Sequence, residues 1–200
     1  MESPAPTAAT LHDLFFHVRV IIGIVVGLSV ARLLTGLARF VQHPGRDRIY
    51  PVHLAWAGFL ILAVVHFWWF QFGLSHIERW TFEVYIFVIC YAALYFFICT
   101  LLFPDNLAEF DGFADYFHSR QKWFYGLLAA LFLVDLADTA LKGAAHFRSY
   151  GISYPIQQSM LAALAVAAMF VKPRWVHGSF AALAILIEVA WILRQFEVLE

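Results

Sequence analysis

Charge is what this sequence has least of. Acidic and basic side chains make up 14% of its 200 residues, roughly half the share of an ordinary soluble domain. The net charge of −1 leaves no basic surface to attract a polyanion, and no nucleic-acid partner is expected. Cysteine is nearly absent. Cys90 and Cys99 lie in one apolar run at a spacing that puts them on opposite sides of a helix, which rules out a mutual disulfide. Proline is missing from the interior of the long apolar runs, so the broken helices that build many carrier sites are not expected.

Chemical motifs are missing too. There is no zinc-like ligand spacing and no His-x-x-Glu-His cluster. The mid-run Ser29 has no base beside it in sequence, and no lysine stands mid-run to hold a retinal Schiff base. An enzyme is therefore not the expected reading, and the composition names no cofactor. The first residues carry no Lys or Arg, unlike a secretory signal, so residues 1–14 read as a flexible tail before a retained helix.

What is present is apolar sequence: 62% of the chain. Crossing a bilayer takes about 20 apolar residues, and six runs come near that length: 15–41, 52–74, 81–103, 122–141, 156–171 and 176–196. The expected fold is all-α, a six-helix membrane bundle over residues 15–198. Trp80, Trp123 and Trp175 stand at run ends, as interfacial anchors do. Between the third and fourth runs, Leu107, Phe110, Phe113, Ala114 and Phe117 recur at helical spacing opposite Glu109, Asp111, Asp115 and Arg120. With Asn106 and Glu109 resembling a capping box, residues 106–119 predict an amphipathic helix on the membrane surface. Arginines cluster at and beyond the end of the first run. That points to a bacterial-type inner membrane with both termini outside the cytoplasm.

Against this background the few intramembrane charges stand out. Arg32 sits within the first run, where an unpaired arginine costs roughly 2.5–3.5 kcal/mol on the most lenient insertion scale. Asp135, Asp138 and Glu188 occupy other runs and are the expected partners, with His66 near them in depth. Asp135, Asp138, Thr139 and Lys142 share one helical face, so an Asp138–Lys142 pair is the plainer alternative for that stretch. Arg19, Glu83 and Arg194 mark an outer rim. Gly23, Gly27 and Ala31 form a small-residue strip fit for close helix packing, which makes the first helix the expected centre of the bundle.

Three function classes follow. A buried charged core predicts a protein that conducts, transports or senses a small ion or proton, working as a homo-oligomer. A haem- or quinone-binding redox protein is the second. His53 and His177 are its ligand candidates, His66 beside Trp69 is a polar handle, and the aromatic run around Tyr91 and Tyr95 gives the walls. The third is a non-catalytic subunit of a larger membrane complex, docking through the segment around Phe110–Phe117.

Overall fold

The structure, a computed structural model, describes residues 8–43, 45, 48–77 and 80–194. Among them every regular element is helical: α1 (Ala8–Gln42), α2 (Pro51–Phe70), α3 (Phe82–Leu102), α4 (Phe113–Leu141), α5 (Ala144–Ser149), α6 (Ser153–Ala168) and α7 (Arg174–Arg194). A 3-10 segment, Gln71–His76, extends α2. Local chemistry sets these bounds. Pro51 occupies the first turn of α2, where its missing N–H removes nothing. Thr81 caps α3 by accepting from the Val84 N–H at 3.4 Å, with Glu83 in the first turn facing the positive helix end.

Among the described residues, five helices are long and apolar enough to cross a membrane: α1, α2 with its extension, α3, α4 and α7. The protein is an all-helical membrane-type bundle. α6 has 16 residues, about 24 Å at the usual rise, and is short for a span. It nevertheless runs the same course antiparallel to α4. The Tyr154 hydroxyl donates to the Asp135 carboxylate near one end, and the Gln121 amide donates to the Ala168 and Val171 carbonyls at the other. α1, α3 and α6 run one way along the bundle and α2, α4 and α7 the other. The starts of α2, α4 and α7 meet at one end of the bundle, and their last turns at the other.

The centre belongs to α2, which packs on α1, α3, α4 and α7. Half of its most apolar stretch is buried, against 22% for α1 and α7. This corrects the expectation of a central first helix. α1 turns Val18, Ile22, Ser29, Leu33 and Gly36 inward, while Gly27 and Ala31 face outward. Its close approach falls at Gly36, where the Phe103 ring occupies the space a Cβ would take. Gly23 meets the Trp68 ring, and nothing lies within 4 Å of a Cβ at Gly27. Of the strip, Gly23 therefore touches α2 through Trp68, while Gly27 and Ala31 face away from the rest of the bundle.

Two further bounds differ from the sequence reading. Residues 8–14 of the expected tail already belong to α1; residues 1–7 and 195–198 lie outside the described residues. No separate surface helix forms over 106–119. Residues 108–111 are turns, Gly112 at φ 98° breaks the chain, and Phe113 onward is continuous with α4. Asn106 accepts from the Ala108 N–H at 2.9 Å, an Asx turn rather than a capping box. The apolar face is Phe113, Tyr116 and Phe117, and it is buried inside the bundle, with Phe113 against Phe40, His53 and Phe103. Aromatic rings find better-shaped partners there than among lipid tails.

Candidate functional site

α2, α3, α4, α6 and α7 converge on a small cavity of about 50 Å³, walled mostly by apolar and aromatic side chains and holding a few polar groups. Asp135 of α4 is its most heavily bonded group. One carboxylate oxygen accepts from the Tyr91 hydroxyl at 2.9 Å; the other accepts from Tyr154 at 2.6 Å and the Gln158 amide at 2.8 Å. These donors are neutral, so the carboxylate is solvated by the protein but not neutralised. Thr139 tightens the arrangement, donating to the Asp135 carbonyl at 3.0 Å and meeting the Tyr154 hydroxyl at 2.7 Å. On the opposite wall, His66 Nδ1 and Glu188 Oε1 stand 2.7 Å apart. Their side chains keep 17% and 18% of their surface exposed, so the pair is reachable and not sealed in the core. Aromatic rings close the cavity, among them Phe67, Tyr95, Phe132 and Trp191.

The charged groups of the inventory are acceptors. Two carboxylates line the cavity, and the Gln158 Oε1 is buried with no hydrogen-bond partner among the described residues. Such a site suits a species that donates: a protonated water, a small cation, or protons on the carboxylates themselves. Room for a few waters is present. A haem or quinone needs several times this volume.

Below the cavity lies a separate ion pair. Lys142 Nζ donates to Asp138 at 2.6 Å and to the Phe70 carbonyl at 3.1 Å, with both side chains essentially fully buried. The Gln71 amide reaches the same Asp138 oxygen at 3.4 Å. Asp138 thus belongs to the plainer helix-end pair and does not line the cavity.

Arg32 is the main departure from the sequence reading. It donates to the Phe103 carbonyl at 2.7 Å and to Asp105 at 2.6 Å, and the Asp105 side chain is 85% exposed. Arg39 takes the neighbouring Pro104 carbonyl at 3.0 Å. The two arginines tie α1 to the end of α3, far along the bundle from Asp135 and Glu188. A guanidinium needs several acceptors; a carbonyl at the end of α3 and a loop carboxylate serve Nη2 of Arg32, while its Nε is buried with no hydrogen-bond partner among the described residues.

The rim residues Arg19, Glu83 and Arg194 fall at one end, but among the described residues no ion pair joins them. Arg19 instead lies over the Phe72 ring, 3.7 Å from its centroid. His53 and His177 share the other half of the bundle, and their bonds lead elsewhere: His53 Nε2 to the Leu102 carbonyl at 2.7 Å, His177 Nδ1 to the Tyr125 hydroxyl at 2.8 Å. Among the described residues no three His, Cys, Asp or Glu side chains gather as metal ligands do. Trp69 is 42% exposed and does not line the cavity beside His66; Phe70 does.

The sequence reading missed Tyr154 and Gln158. Their signal was present. Both are hydrogen-bonding residues four apart, hence on one face, in the first turns of α6. Tyr91, a wall residue by its aromatic surroundings in sequence, also donates its hydroxyl to the Asp135 carboxylate.

No family model, no curated protein and no solved structure matches this chain.

Proposed function

We propose that the protein binds protons, or a small monovalent cation in their place, at the Asp135–Glu188 cavity, and moves or senses them across the membrane. The observation that carries this reading is the pairing of two carboxylates on one small cavity whose hydrogen bonds to Asp135 come from neutral groups alone. Ionised groups within membrane spans are costly and cluster on ion and proton routes. His66 beside Glu188 supplies a second exchangeable site within 2.7 Å.

The surroundings favour access from one end. Trp56, Phe59, Leu60, Phe124, Leu128 and Phe180 form a buried apolar belt between the cavity and the histidine-bearing half. Tyr125 and Asp135 on α4 are separated by about 15 Å of this belt at the usual helical rise. A proton reaching Glu188 stops there until the belt parts. That behaviour belongs to a gated carrier or a sensor more than to an open channel. Function as a homo-oligomer remains part of the proposal, resting on the outward Gly27 and Ala31.

Purified protein in liposomes holding a trapped pH dye, driven by a potassium diffusion potential, tests the reading. The expected wild-type result is acidification. Glu188→Gln and Asp135→Asn should slow it by about a hundredfold, a contribution typical of a positioned proton-transfer group. A sensor would show no flux, but the fluorescence of Trp191, which lines the cavity, would titrate with pH and stop doing so in Glu188→Gln. Absence of both flux and titration in the wild type overturns the proposal.

A further inference from the structure

A second cleft lies at the other end of the bundle, outside the cavity and independent of it. It has a volume of about 600 Å³ and is lined by Arg48, Tyr50, Asp111, Asp115, His118 and Arg174, with Ile49 at its edge. This is ligand-sized. It sits where three helices begin, since Pro51 opens α2, Phe113 opens α4 and Arg174 opens α7. Helix N-termini present free N–H groups and positive dipole ends, a setting that favours phosphate.

The charges around the cleft are of both signs. Two guanidiniums and two carboxylates share it, yet none of the three ion pairs among the described residues joins them. Asp115 is occupied in part by the Asp111 N–H at 3.2 Å, and His118 faces Tyr50 at 3.3 Å and Gln121 at 2.9 Å. The arginines are left for a ligand. A simple anion would meet Asp111 and Asp115, and a simple cation would meet Arg48 and Arg174. A dipolar group carrying phosphate and amine together satisfies both.

The level of the cleft indicates the source. Trp175, in the first turn of α7 beside Arg174, is 73% exposed, as residues at the headgroup boundary are. Ile49, 60% exposed, offers an apolar edge for the start of an acyl chain. We infer that this cleft binds the headgroup of a zwitterionic phospholipid, with Arg174 and Arg48 taking the phosphate and Asp111 taking the primary amine. The chemistry is that of phosphatidylethanolamine.

The test is native mass spectrometry of the full chain in detergent, given an equimolar mixture of phosphatidylethanolamine and phosphatidylglycerol. The expected result is a retained phosphatidylethanolamine adduct. Arg174→Gln should weaken it about fivefold, the scale of one partly exposed charge pair, and Asp111→Asn should erase the preference over phosphatidylglycerol. Arg48→Gln repeats the first measurement should Arg174→Gln fail to fold. Phosphatidylglycerol binding as well as phosphatidylethanolamine in the wild type overturns the assignment, and so does unaltered binding in the arginine variants. Displacement of the lipid by soluble phosphoethanolamine at equal concentration overturns the lipid source.

Discussion

At Asp138 and Lys142 two opposite charges have left water together, and each is the other's main compensation. Removing one strands its partner, a change of about 3–5 kcal/mol in buried pairs, whereas replacing both with apolar residues is often neutral. Asp138→Asn should therefore lower the unfolding temperature in detergent sharply, and the double variant Asp138→Leu/Lys142→Met should recover most of the loss. A double variant no better than the single would show that Gln71 and the Phe70 carbonyl, not the pair, govern this end. Asp135 behaves differently at the same scale. Its three neutral donors hold the carboxylate in place without cancelling its charge, so Asp135→Asn should leave stability within about 1 kcal/mol, the size of one exchanged hydrogen bond. Its effect should appear in proton handling.

Among the elements, α1 and α3 are fitted at one point more than elsewhere. A methyl group on Gly36 lands on the Phe103 ring. Phe103 also carries the carbonyl that Arg32 holds, so the two residues fix the same corner. Gly36→Ala should destabilise by about 1–3 kcal/mol through overpacking. Gly27→Ala, with open space beside it, should change thermal stability by less than about 0.5 kcal/mol. Equal effects in the two variants would contradict this packing of α1. The start of α4 shows how an element can be half legible. The spacing of Phe110, Phe113 and Phe117 announced a helix with one apolar face, which is correct from Phe113 on. Periodicity cannot tell a face turned to lipid headgroups from one turned to other helices, because both are apolar stripes.

For the whole molecule, the number of passes decides which face of the membrane each end occupies. Six passes place Asp13 and Arg194 on one side and Val41 on the other; α6 as a non-spanning helix would separate Asp13 from Arg194. Single cysteines at these exposed positions, in a background of Cys90→Ser and Cys99→Ala, should react with an impermeant maleimide accordingly. Asp13→Cys and Arg194→Cys should label together, and Val41→Cys only after the membrane is opened. The proposed orientation, with both ends outside the cytoplasm, predicts labelling of the first two in intact cells.

The legible part of the candidate site follows a simple division. Asp135, Glu188 and His66 stand out in sequence because each is polar within an apolar run, and the structure brings all three to one cavity. Arg32 stands out by the same rule and goes elsewhere. Its long side chain reaches a loop carboxylate and helix-end carbonyls that its depth in the run gave no hint of.

Apolar runs of bilayer length, their punctuation and their shortage of charge dictated a helical membrane bundle, because backbone groups in lipid must bond within their own segment. Which charges meet was settled only by the packing of the helices about α2. Rotation and tilt place a side chain within reach of a partner far away in sequence, and no spacing along one helix encodes that distance.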